Sequence, residues 1–147
     1  MIVLDTNVVS EPMKPYGNAS VLAWLDSQAA ETLYLTSTSL SELLVGVGIL
    51  PEGRRKDGLG AALTELITQL FGDRILSFDQ EAAIAYASLI SRARASGRHI
   101  SVADGQIAAI AAVHGFAVAT RDTAPFEAAG VPIINPFERS EIGKEIR

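Results

Sequence analysis

The chain contains no cysteine, which excludes disulfides, thiolate zinc sites and a cysteine nucleophile. Histidine is scarce as well, with only two, and neither stands in an evident relay with Ser and Asp. His114, just before Gly115 at a helix end, reads as a partner of the helix dipole, and His99 as a surface residue. Excess positive charge is missing: 12 Lys and Arg face 17 Asp and Glu, a net charge of −5. That argues against a protein held on nucleic acid by bulk charge. It leaves room for one whose acids gather around metal ions. No apolar run reaches the length of a membrane span, and the chain opens on a strand pattern rather than a signal peptide. A soluble cytoplasmic protein is expected, and 147 residues suffice for one domain with a sizeable core.

What is present is an alternation of strands and helices. Ile2, Val3 and Leu4 form an apolar run of the kind found in strands buried on both faces, which stops at Asp5, Thr6 and Asn7. Asn18–Ala30 carries a helical stripe at Val21, Leu22, Leu25 and Ala29, with Trp24 covering the core beside it. Leu33–Thr36 reads as a strand and Ser37–Leu50 as a helix, broken by Pro51, Glu52 and Gly53. Leu59, Leu63, Leu66, Ile67 and Leu70 predict a further helix. Ile75–Phe78 reads as a strand and Asp79–Ser96 as a long helix ended by Gly97. The helix opening at Ser101 is apolar nearly all round after Gln106, so it belongs in the interior. Phe116–Ala119 and Pro132–Ile134 complete the strands, the latter at an edge where Pro is tolerated. The pattern predicts a three-layer α/β domain around a parallel sheet of about five strands.

Four acids fall where such a sheet gathers ligands, at the C-terminal ends of its strands. Asp5 ends the first strand, Glu42 and Asp104 are expected in the first turns of helices, and Asp122 follows the fourth strand. Structural duties would explain each singly. Asp5 or Thr6 suits a helix cap, and Ser39-x-x-Glu42 and Ser101-x-x-Asp104 both have capping-box spacing. Asp57, Asp73 and Asp79 are read as turn and cap acids. Together, four carboxylates on one rim are costly, since two like charges about 4 Å apart repel by roughly 4 kcal/mol at an effective dielectric near 20. A hard divalent cation such as Mg2+ or Mn2+ removes the conflict, and such an ion activates water for phosphoryl chemistry.

Four blocks carry a family resemblance: LDTNVVSE at Leu4–Glu11, TSLSELLVGV at Thr38–Val47, SVADGQIAAIAAVHG at Ser101–Gly115, and ATRDTAPFEAAGVPIINPF at Ala119–Phe137. In order and spacing the chain resembles a PIN-domain ribonuclease, specifically the VapC/FitB-like toxins of type II toxin–antitoxin systems. The resemblance implies sheet order 3-2-1-4-5 and a metal-dependent endoribonuclease of residues 1–137, followed by a charged tail at 138–147. It implies Asp5, Glu42 and Asp104 as the core acids, Asp122 at the fourth acidic position, and Thr6, Asn7 and Thr120 as supporting polar groups. Many members carry a later acid after the fourth strand where this chain has Pro125, so Asp122 stands alone there. Also implied are an antitoxin that covers the site, often with an Arg among the carboxylates, and a toxin homodimer.

Leu44, Val47 and Leu50, beside Gly46 and Gly48, offer an apolar surface for such a partner, unless they pack inside the domain. Lys14, Arg54, Arg55, Lys56, Arg92, Arg94, Arg98 and Arg121 are candidates for flanking phosphate contacts. Other classes remain open. A haloacid-dehalogenase-type phosphoryl-transfer enzyme also starts with a strand ending in Asp, but wants a second Asp where Asn7 stands. A receiver module wants its Asp after strand three. A partner-binding α/β module without activity is the remaining alternative.

Overall fold

The computed structural model describes residues Met1–Glu138; apart from Glu138 itself, the expected tail lies outside the described residues. Strands β1 (Ile2–Leu4), β2 (Leu33–Thr36), β3 (Ile75–Leu76), β4 (Ala117–Ala119) and β5 (Ile133–Ile134) form one sheet. Its order is β3-β2-β1-β4-β5 and every pairing is parallel. The short apolar run at the chain start is therefore the central strand, buried on both faces as its composition requires.

Successive side chains of a strand point to opposite faces, and the core divides accordingly. Val3 and Val118 pack with Leu89, Ile107, Ala108 and Phe126, from α5 (Gln80–Ala95), α6 (Val102–His114) and α7 (Thr123–Ala129). Leu4, Leu33, Leu35 and Ala119 pack on the other face with Val8, Val21, Leu43 and Leu63. These come from α1 (Thr6–Val9), α2 (Ala19–Ser27), α3 (Ser37–Gly48) and α4 (Arg54–Glu65). No described helix is long and apolar enough to cross a membrane.

Several boundaries differ from the sequence pattern, each for a local reason. α2 starts after Asn18, whose side chain accepts from the Val21 N–H at 3.1 Å, and it stops at Ser27 rather than Ala30. α4 begins at Arg54, not Leu59; its first turn is polar and carries no apolar stripe. The stripe that continues to Leu70 runs into a π-helical stretch, Leu66–Phe71, which turns Phe71 fully into the core. α7 is an addition to the expected elements. Pro125 inside it is tolerated because the first turn of a helix has no intrahelical acceptor for that N–H. The strands at Ile75, Phe116 and Pro132 are shorter than the apolar runs suggest.

Gly105 of α6 is required by packing. A Cβ there would lie 2.7 Å from Tyr86 Cε2 and 3.1 Å from Ile90 Cδ1 of α5. The close approach of these two helices sets the position of Asp104, one residue earlier.

Candidate active site

β1 and β4 are neighbours with Leu4 opposite Ala119, so the residue after each strand arrives at the same lip. Asp5 N–H donates to the Ala119 carbonyl at 2.9 Å. The Asp5 side chain is buried, 5% exposed. Its Oδ1 accepts from the Thr6 N–H at 2.7 Å and its Oδ2 from the Thr120 hydroxyl at 2.8 Å. Asp5 thus caps the short helix α1 as one sequence alternative held, and the same carboxylate faces the rim.

Glu42 lies in the second turn of α3, not the first. Thr36 is the cap, its hydroxyl accepting from Ser39 N–H at 3.0 Å, which removes the capping-box reading of Ser39-x-x-Glu42. Released from that duty, Glu42 Oε1 accepts from the Thr6 hydroxyl at 3.0 Å. Asp104 is in the first turn of α6, where Ser101 Oγ accepts from its N–H at 3.2 Å. Half of the capping box is formed, with no bond from the Asp104 carboxylate back to Ser101 among the described contacts. Asp122 precedes α7 without capping it.

Asn7 ties the two strand ends together. Its Nδ2 lies 3.4 Å from Asp5 Oδ2, 3.5 Å from Thr120 Oγ1 and 3.3 Å from Asp122 Oδ2. Its Oδ1 accepts from Arg121 N–H at 3.2 Å. Thr120 Oγ1 in turn accepts from Asp122 N–H at 3.0 Å. A carboxylate at position 7 would lose both donors, so the Asn is required by the geometry.

Burial pushes the Asp5 carboxyl up to about 6 from 3.8, against the lowering influence of the Thr120 hydroxyl and the Thr6 N–H. The Asp104 and Glu42 carboxylates push it further in the same direction. None of these three acids has an ion-pair partner among the described residues; Asp122 has a long contact of 4.0 Å with Arg121. The donors are carboxylate oxygens, suited to Mg2+ or Mn2+. Among the described residues no three carboxylates stand close enough to form a ready-made cage.

A buried acid, Glu11, carried no assignment from sequence. Glu11 is 4% exposed and accepts from Lys14 Nζ and Asn18 N–H, both at 2.9 Å. These bonds hold its carboxyl below the usual range. Its place in the LDTNVVSE block was the available signal.

Beyond the rim, Met13, Lys14, Leu43, Val47, Leu50 and Leu59 line a groove of about 370 Å³. Of the expected partner residues, Val47 and Leu50 belong to it, and Val47 also packs against the core. Leu44 is 51% exposed and faces elsewhere, with Val45 and Ile49 also exposed.

With the acids at the C-terminal lip of this parallel sheet, the PIN domain model matches residues 2–131. The chain belongs to the PIN-domain family. It is 49% identical over 138 residues, 94% of this chain and 99% of the relative, to VapC ribonuclease Y4jK of Sinorhizobium fredii. To Toxin FitB of Neisseria gonorrhoeae it is 47% identical over 137 residues, 93% and 99% of the two chains. The crystal structure of FitAcB from Neisseria gonorrhoeae matches with a TM-score of 0.91 at 47% identity, covering 95% of this chain and 100% of that one. FitAB bound to an IR36 DNA fragment matches equally well, with a TM-score of 0.91 at 45% identity and coverage of 95% and 98%.

Proposed function

We propose that the protein is a metal-dependent endoribonuclease acting as the toxin of a toxin–antitoxin pair. The observation that carries this reading is Asp5, buried at the central lip, flanked by two acids and lacking a basic partner, in a chain nearly half identical to a VapC ribonuclease. Asp5, Glu42 and Asp104 would hold Mg2+ or Mn2+, with Asp122 at the margin. When bound, such an ion stabilises negative charge on a phosphoryl oxygen and lowers the pKa of water.

The protein's own groups do the positioning. Thr120 and Thr6 fix both oxygens of Asp5, Thr6 orients Glu42, and Asn7 holds Asp122 in register with the central strand. The Asp104 carboxylate has no hydrogen-bond donor among the described contacts and half faces solvent, so it is available to orient a water for attack on phosphorus. Loss of Mg2+- or Mn2+-dependent RNA cleavage in Asp5→Asn, with the fold retained, is the test.

The groove supports a partner. An apolar floor with Lys14 and Arg55 among its lining residues suits an amphipathic antitoxin helix with acidic flanks. The apolar strip of Leu44, Val45 and Ile49 on the outer side of α3 supports a second contact, with another copy of this chain. Size-exclusion chromatography of the chain alone and with its antitoxin separates the two.

A further inference from the structure

The turn between α5 and α6 faces the start of α7 across a cavity of about 360 Å³, lined by Arg98, His99, Ala124, Pro125, Glu127 and Ala128. The size is that of a small-ligand pocket. Its basic wall is built into the fold. Gly97 has φ of 72°, and Arg98 N–H donates to the Ala93 carbonyl at 2.8 Å, closing α5. Two residues further on, Ile100 is anchored in the core. Arg98 and His99 therefore form an exposed arch clamped at both ends. Arg98 makes no ion pair among the described residues, although Glu127 lines the same cavity.

Both walls lead to the acidic rim. Ser101, two residues after His99, caps the helix that carries Asp104. Ala124 stands two residues after Asp122, a span of at most about 7 Å. A nucleic-acid strand entering that rim is repelled by the carboxylates, and an uncommitted cation beside it offsets the repulsion.

We propose that this cavity is a nucleotide subsite for the RNA strand whose scissile phosphate lies at the rim; the inference rests on the ribonuclease reading above. Arg98 contacts a backbone phosphate, and an unstacked base lies against Pro125 and Ala128 with His99 as its stacking partner. Glu127 accepts from an exocyclic amino group, so the subsite favours cytosine or adenine over uracil.

Steady-state cleavage of labelled single-stranded RNA oligonucleotides tests this, with wild type, Arg98→Ala and His99→Ala. The subsite predicts KM raised roughly tenfold in both cavity variants, with kcat within about twofold, as for one lost stacking or phosphate contact. It also predicts a log–log salt slope shallower by about 0.7 in Arg98→Ala alone. Wild-type KM and salt slope in both cavity variants, or a defect confined to antitoxin binding, would overturn it. If the wild-type protein cleaves no RNA, the ribonuclease reading fails and the subsite with it. Cleavage by wild type with unaltered variants sinks the subsite alone.

Discussion

Thr120 Oγ1 donates to Asp5 Oδ2 at 2.8 Å across 115 positions of sequence, joining the ends of two adjacent parallel strands. The bond opposes the upward push of burial on Asp5. Thr120→Val removes the donor at nearly constant volume and leaves Asp122 N–H without its acceptor. The acid limb of the pH–rate profile is expected to move to higher pH, by a few tenths of a unit to about one unit. An unmoved profile would mean that Asp5 does not titrate in the rate-determining state.

The same carboxyl makes metal-free stability depend on pH. Its folded value of about 6 lies above the ordinary 3.8, so between these values the folded state binds more protons than the unfolded. Stability from this group is full below about pH 4 and is lost as pH rises through 6. A shift of that size corresponds to about 3 kcal/mol. Asp5→Asn should flatten the decline, measured by denaturant titration in EDTA, and raise metal-free stability near neutrality. Mg2+ should raise the melting temperature of wild type more than that of the variant. Glu11 acts with opposite sign and in a lower window, its contribution vanishing as pH falls through its depressed value.

Gly105→Ala tests the packing that positions Asp104. The added methyl would meet Tyr86 Cε2 at 2.7 Å, and Tyr86 is itself packed edge-on against Phe78. We expect a loss of about 1–3 kcal/mol, typical of overpacking, and reduced kcat from a displaced α6. Thermal melts and cleavage assays measure the two effects, and wild-type values in both would show that the helices separate freely.

Gly46 has nothing within 4 Å of where its Cβ would be and lines the groove. Gly46→Leu should add about 0.5–1 kcal/mol of helix stability and block the antitoxin helix, leaving RNA cleavage intact. Val47→Asp should block binding too, at a cost in stability, because Val47 also packs against the core. Undiminished antitoxin binding by the Gly46 variant in isothermal titration calorimetry would place the partner elsewhere.

Much of this was readable in the residues. An apolar run that stops at Asp5, and acids after the second and fourth strands, mark the lip in the sequence itself. α6 announced its burial by lacking a polar face. What escaped had no periodic signature. α7 is short and contains Pro125. The cap of α3 is Thr36, the last strand residue, so four hydroxyl residues in a row, Thr36 to Ser39, obscured where the helix starts and placed Glu42 a turn too early. The bridging duty of Asn7 depends on strand register, which pairs Leu4 with Ala119 and no local pattern specifies. The exposure of Leu44 against the partial burial of Val47 follows from how α3 rotates on α1 and α4, a tertiary property.

On the proposed reading, the carboxylates at the lip of β1 carry out metal-dependent RNA cleavage. The most direct measurement is cleavage of single-stranded RNA in Mg2+ or Mn2+ by wild type, Asp5→Asn, Glu42→Gln, Asp104→Asn and Asp122→Asn, with folding of each verified by circular dichroism. Loss of at least about 100-fold is expected in the first three variants, the scale of removing a group that stabilises transition-state charge, with a smaller loss for Asp122→Asn. Near-wild-type turnover in any two of the first three, with metal dependence unchanged, would contradict that reading.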